Sequence, residues 1–224
     1  MNGLPDRASV VVVGGGVMGA SIAFHLAEGG VADVLLLERG DLAGGSTTKS
    51  AGGVRAQFTD AVNVALGARS LEAFERFGRR PGGEIDLHQV GYLFLHTTPA
   101  GLAAAEAAVE LQRSLGVPTQ LLTAAEAGVL SPGVVVDDVI GATFHQRDGY
   151  CTPEAVVQGY ARAARALGAT VRTGVDVKAV EVSGGEIVAV ATSAGRVETG
   201  AVICAAGAWS QALVMSPGPV DEDE

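Results

Sequence analysis

Apolar and polar positions along this chain fall into distinct rhythms, and each change of rhythm marks an element. Val10–Val13 are four consecutive β-branched residues, the all-apolar run that a central parallel strand covered on both faces requires. A glycine turn, Gly14-Gly15-Gly16-Val17-Met18-Gly19, leads into a helical stretch over residues 20–28. A second apolar run, Val34–Leu37, then ends on Glu38. Val62, Ala65, Leu66, Leu71, Phe74 and Phe77 recur at helical spacing and predict an amphipathic helix over 60–77, with Asp60 or Thr59 as its N-cap. A strand is expected over 90–96 and an alanine-rich helix over 99–115, stopped by Gly116. A shorter helix over 123–130 opens on Thr123 with Glu126 in capping-box register. Residues 140–145 read as a strand, Asp148-Gly149 as a turn, and 153–167 as a helix with proline in its first turn and Gly168 at its end. Val171, then 175–182, 186–192 and 196–198, alternate with a period of two. They predict an antiparallel meander with Gly184-Gly185 as a hairpin turn, before a last buried strand at 201–205.

The first of these stretches carries candidate chemistry. Gly14, Gly16 and Gly19 fit G-x-G-x-x-G between a strand and a helix. The first allows the tight turn, the second lets a pyrophosphate approach the backbone, and the third lets the helix lie close on the strand. The start of the helix offers unpaired N–H groups and a partial positive charge to phosphates. Glu38 follows at the spacing of about 20 residues at which a carboxylate accepts from adenosine ribose hydroxyls, and its charge disfavours the 2′-phosphate of NADP. After Glu38, residues 39–57 form a loop rich in glycine, serine and threonine. Its hydroxyls and amides suit a phosphate or a flat ring. The reading at this level is a dinucleotide site.

Composition narrows the partners. The chain has 224 residues, 48% hydrophobic and 18% charged, which excludes a disordered chain and is enough for one or two domains. No apolar run reaches the length of about 18 residues needed to span a membrane, and the short polar start fits no signal peptide. A net charge of −10, with Asp221 to Glu224 all acidic, disfavours nucleic acid and anionic membrane surfaces. The two cysteines, Cys151 and Cys204, form no CxxC, and His88, His96 and His145 share no ligand spacing, so no metal is expected. The cytoplasm is the expected location.

Four segments together resemble the D-amino-acid-oxidase superfamily of FAD-dependent amine oxidoreductases, and most of all its glycine oxidase, sarcosine oxidase β-subunit and dimethylglycine dehydrogenase-like members. They are VVVGGGVMGASIAFHL (11–26), LLLERGDLAGGSTTKSAGG (35–53), DGYCTP (148–153) and VICAAGAWS (202–210). The resemblance implies an α/β fold: a Rossmann-like FAD-binding domain with a three-layer parallel sheet, interrupted by a partial α+β substrate domain. The expected boundaries are 1–80 and 145–214 for the FAD domain, 81–144 for the substrate domain, and 215–224 for an acidic tail.

By the same resemblance Gly14, Gly16, Val17, Met18 and Gly19 hold the FAD pyrophosphate, and Glu38 binds the adenosine ribose with Arg39 beside it. Ser46, Thr47 and Lys49 approach the phosphates, ribityl chain or isoalloxazine. The backbone of Val177 meets adenine, and Ala206 and Gly207 pass near the cofactor. Lys49 is the candidate catalytic residue, its charge stabilising reduced, anionic flavin. Members that bind flavin covalently carry histidine where this chain has Lys49, so the FAD is expected to be noncovalent. The family continues well beyond Ser210, so the chain is expected to be truncated, with exposed sheet edges that favour self-association.

The expected reaction is oxidation of a small amine or amino acid, of the sarcosine, glycine or dimethylglycine type, by hydride transfer to flavin N5. The alternatives are a truncated, catalytically impaired dinucleotide-binding module and an NAD-dependent dehydrogenase. His25 and Cys204 are expected to be packing residues, and Trp209 to pack on the helix that follows it.

Overall fold

The computed structural model of the chain describes residues 3–215. In chain order its elements begin with β1 (Val10–Val13), α1 (Val17–Glu28), β2 (Val34–Leu37), β3 (Gly53–Val54), α2 (Ala61–Glu75), β4 (Tyr92–His96), α3 (Pro99–Ser114), β5 (Gln120–Leu122) and α4 (Ala124–Leu130). They continue with β6 (Gly141–His145), β7 (Gly149–Tyr150), α5 (Pro153–Ala166), β8 (Thr170–Arg172), β9 (Val177–Ser183), β10 (Glu186–Thr192), β11 (Gly195–Glu198), β12 (Val202–Cys204) and α6 (Ser210–Met215). Beyond Met215, the acidic tail expected at 215–224 lies outside the described residues.

Two compact units result. The first runs through Ser50, takes up Pro81–Ile85 and resumes at Pro153; the second comprises Ala51–Arg80 and Asp86–Thr152. These units are bounded differently from the domains expected at 80 and 145, because β3 pairs antiparallel with β7 through Gly53–Tyr150 and Val54–Gly149 and so carries both segments into the second unit.

The first unit is built on a parallel sheet in the order β12-β1-β2-β8. Val10–Val13 register with Val34–Leu37, and Val11–Val13 with Val202–Cys204. Val11, Val13, Leu35 and Leu37 share a core with Val190 and Val197 of the antiparallel sheet β11-β10-β9. Leu36, on the other face, lies under α1. Helix, parallel sheet and meander are thus three layers, which is why both strands β1 and β2 are apolar at every position. Helix α5 packs on α1 with Val156, Val157, Gly159, Tyr160, Ala161 and Ala164 buried, and the Tyr160 ring lies 5.5 Å from that of Phe24.

The second unit holds an antiparallel sheet in the order β4-β6-β5, with helices α2, α3 and α4. Its polar centre is Asp148, fully buried. One carboxylate oxygen accepts from Ala56 N at 2.9 Å and pairs with His145 Nδ1 at 2.7 Å; the other accepts from Gln57 Nε2 at 3.2 Å. The capping box of α4 is present in both directions between Thr123 and Glu126. Burial, and then the charge of Asp86, push the Cys151 thiol above its ordinary range, so this cysteine stays protonated.

Several local expectations are corrected. Val171 lies in β8, parallel to β2 at the edge of the main sheet, and not in the meander. Helix α2 buries Val64, Gly67 and Leu71, while Val62, Ala65 and Leu66 face outward. The expected stripe holds in the second half of the segment, where Leu71 and Phe77 are buried, and fails in the first half, where the buried positions are Val64 and a glycine that hydrophobicity does not mark. Strand β5 was not foreseen. His25 is exposed on α1, its Nδ1 2.7 Å from Ser21 O, and packs at the surface with its ring 4.9 Å from Phe24 and 5.9 Å from Tyr160.

Candidate functional site

Chain segments at the carboxyl ends of β1, β2 and β12 converge in the first unit, the end of a parallel sheet at which ligands bind. Together with residues 175–178 they line a cavity of about 800 Å³. Of the residues proposed from the sequence, Gly14, Gly16, Val17, Met18, Glu38, Arg39, Ser46, Thr47, Lys49, Val177, Ala206 and Gly207 all line it. Gly19 alone does not.

The three motif glycines occupy different surroundings. Gly14 has φ +112°, and a Cβ on it would sit 2.4 Å from Ala205 O, so β12 closes on β1 only because the side chain is absent. A Cβ on Gly19 would sit 1.8 Å from Gly14 O, which seats α1 directly on the turn. A Cβ on Gly16 would meet nothing but Thr47 Oγ1, at 3.3 Å. Gly14 and Gly19 are therefore needed by the fold, whereas the open side of Gly16 belongs to the cavity.

Helix α1 starts at the cavity wall without a side-chain cap from Gly16. The Val17 amide donates to Thr47 Oγ1 at 3.2 Å and the Ala20 amide to Gly16 O at 3.0 Å. The amides of Met18 and Gly19 have no partner among the described residues, leaving donors at the positive end of the helix. Thr47 is thus positioned by the helix that it caps, and Ala43 N, bonded to Gly15 O at 2.9 Å, ties the same loop to the glycine turn.

Glu38 does more than the sequence implied. Oε2 accepts from the Gly15 amide at 2.6 Å and Oε1 from the Gly40 amide at 2.8 Å. The carboxylate therefore braces the glycine turn while lining the cavity, and each oxygen keeps lone-pair capacity for a ribose hydroxyl. Glu38→Gln puts an NH2 against one of these amides. It is expected to lower stability by about 1–3 kcal/mol as well as to weaken dinucleotide binding. Chemical denaturation with and without ligand separates the two effects, and an unchanged midpoint would remove the bracing role.

Sequence reasoning missed several lining residues. Asp176 and Lys178 form an ion pair at 2.5 Å beside Val177. Trp209 is 47% exposed, lines the cavity, and carries the Arg39 guanidinium 4.2 Å above its ring. Its position in GAWS was the available signal, but nothing local indicates that the end of β12 faces the end of β2. Lys49 is exposed at the cavity wall. Among the described residues no group of three or more His, Cys, Asp or Glu side chains is placed to hold a metal, and no helix is long and apolar enough to cross a membrane.

Comparison with known proteins places these features in context. Residues 9–222 match the family described as FAD dependent oxidoreductase. The chain is 32% identical to a 4-methylaminobutanoate oxidase (formaldehyde-forming) of Paenarthrobacter nicotinovorans, over 96% of this chain and 26% of the relative. It is also 32% identical to the mitochondrial sarcosine dehydrogenase of Mus musculus, over 92% of this chain and 23% of that protein. Among solved structures, L-proline dehydrogenase from P. horikoshii superposes with a TM-score of 0.89 at 33% identity, covering 94% of this chain and 55% of that one. The chain thus spans about a quarter of the length of these curated relatives and about half of the solved one.

Proposed function

The chain belongs to the FAD-dependent oxidoreductase family, and from that premise we propose that its first unit binds FAD noncovalently and serves the oxidation of a small secondary amine or amino acid. The observation that carries the cofactor reading is the start of α1, where Gly16 leaves the cavity open and the amides of Met18 and Gly19 stand unpartnered. A pyrophosphate is the ligand such a cradle suits. The fit extends along the cavity wall. Glu38 takes the adenosine ribose with Arg39 beside it, and the backbone of Val177 meets adenine. Val17, Ser46 and Thr47 approach the phosphates, and Ala206 and Gly207 border the cofactor.

When bound, FAD supplies hydride acceptance at N5, oxidising the carbon next to an amine nitrogen to an imine that water hydrolyses. Lys49 contributes positive charge near the ring, which favours the reduced anion. The second unit then belongs to the substrate domain. Support for the substrate class comes from three names: 4-methylaminobutanoate, sarcosine and L-proline are all secondary amines that carry a carboxylate. The free thiols of Cys151 and Cys204 support a reducing compartment such as the cytoplasm.

Trp209 is the only tryptophan of the chain and lines the cavity, so titration has a built-in reporter. FAD is expected to bind saturably and to quench its emission, with NAD much weaker. Acid precipitation is expected to release all yellow colour into the supernatant. Absence of saturable FAD binding would overturn the cofactor assignment, and colour retained by the precipitate would overturn the noncovalent one. A protein that binds FAD but shows no flavin bleaching with sarcosine or L-proline under anaerobic conditions would be a binding module and not an amine oxidoreductase.

A further inference from the structure

Arg39 and Trp209 follow the ends of the two strands that flank β1, since the parallel sheet runs β12-β1-β2. Two strand spacings, about 10 Å, separate β12 from β2. Between them β1 runs into the glycine turn at Gly14. The Arg39 guanidinium nonetheless lies 4.2 Å from the centroid of the Trp209 ring. The contact therefore crosses the width of the middle strand, a span that takes two long side chains. Both residues line the cavity of the first unit and both are exposed, so they meet at its rim and not in its floor.

Arg39 has carboxylates close by in sequence, Glu38 and Asp41, yet it makes no ion pair and no side-chain hydrogen bond among the described residues. Glu38 is turned instead to the amides of Gly15 and Gly40. The ring is thus the partner that the guanidinium keeps, and the indole face is the best of the aromatic faces for a cation. A second segment borders the same ring: a Cβ placed on Gly45 would lie in ordinary contact with it, 4.0 Å from Trp209 Cζ3. Trp209 is carried by a short 3-10 turn, Gly207–Trp209, that opens on Gly207 at φ +59°. A residue without a Cβ lets this turn change its backbone angles at low cost, and the direction of the ring with them.

We propose that Arg39 and Trp209 form a strap across the mouth of the dinucleotide cavity, which opens to admit the cofactor and closes over it again. What passes beneath the strap rests on the FAD reading given above; the strap itself does not. A strap that closes both before and after the ligand enters stabilises the two states alike. It slows association and dissociation by similar factors and leaves the equilibrium affinity nearly unchanged. A residue that only touched the ligand would behave otherwise, since its loss would speed dissociation alone and weaken affinity in proportion.

The first test needs no ligand. Trp209 is the only tryptophan of the chain, so acrylamide quenching of its emission reports how far the ring is covered. Arg39→Ala is expected to raise the quenching constant about 2-fold, and Arg39→Lys, which keeps a cation on a flexible stem, to fall between the two. An unchanged constant would overturn the strap, whatever the cavity binds.

The second test mixes FAD with the full chain, freed of cofactor, in a stopped-flow instrument and follows the emission of FAD itself, so that variants of Trp209 can be read. Trp209→Leu is expected to raise the association and dissociation rate constants together, each at least about 5-fold, with Kd moved by less than about 2-fold. Trp209→Phe keeps a ring under Arg39 and is expected to recover most of the difference. Thermal melts by circular dichroism check that these exposed substitutions leave the fold intact. Faster dissociation alone, with affinity lost in proportion, would make Trp209 a wall of the site and overturn the strap, as would rates equal to those of the parent. A parent chain that takes up no FAD would sink the cofactor reading, and the quenching result would then decide the strap by itself.

Discussion

Gly19→Ala is expected to destabilise the protein by about 3 kcal/mol or more, a large part of the roughly 5–15 kcal/mol that keeps a domain folded. Propensity alone argues the opposite way, since alanine inside a helix is favoured over glycine by about 1 kcal/mol. Geometry decides the sign. The new Cβ would lie 1.8 Å from the carbonyl oxygen of Gly14, a backbone atom on the turn between β1 and α1. Relief requires α1 to lift from the parallel sheet, and the packing of Leu36 beneath it is then lost. Thermal denaturation should show a fall of about 6–12 °C at this chain length. A midpoint equal to or above that of the parent would mean that α1 has room to move, and that the close approach of helix and turn is no constraint.

Gly16→Val is expected to have the complementary result: a folded protein that binds FAD at least about 100-fold more weakly, some 2.7 kcal/mol. The nearest atom to a Cβ at this position is Thr47 Oγ1 at 3.3 Å, the end of a side chain that can turn aside. The fold therefore tolerates the substitution. The cavity does not, because the two methyl groups of valine extend into the space beside the start of α1 where a pyrophosphate would lie. Titration of Trp209 emission with FAD, beside a thermal melt, separates the outcomes. A Gly16→Val variant that binds FAD as tightly as the parent would place the phosphates elsewhere. Together the two substitutions divide one six-residue motif into a position the fold requires and a position the ligand requires.

How much of this was legible beforehand depends on whether the deciding interactions were local. The unit from Val10 to Glu38 was read correctly because its causes lie within it: a β-branched run that wants burial on both faces, glycines that the turn needs, and an acid at the next strand end. The capping box of α4 and the glycine ending α5 are local in the same sense, as their hydrogen bonds or backbone angles involve near neighbours in sequence. The resemblance in four separated segments extended that reading to the cavity, and twelve of the thirteen residues named for it do line it.

What the sequence could not decide was pairing and facing between distant segments. Thr170–Arg172 is too short to carry a pattern, and only the open edge of β2 made it a parallel strand and not a rung of the meander. The phase of α2 depended on where Gly67 could approach Ala56, a backbone contact without a hydrophobic signature. Glu38 was legible as the acid at the end of β2 but not as the brace of Gly15 and Gly40, and Trp209 as a packing residue but not as the partner of Arg39. The Glu38–Gly15 and Arg39–Trp209 contacts join segments at strand ends that the sheet order brings together. Local sequence determined which elements form and which motif lines the cavity; the closing of β12 and β8 around β1 and β2 decided which side chains face one another across it, because only then are their positions set within bonding distance.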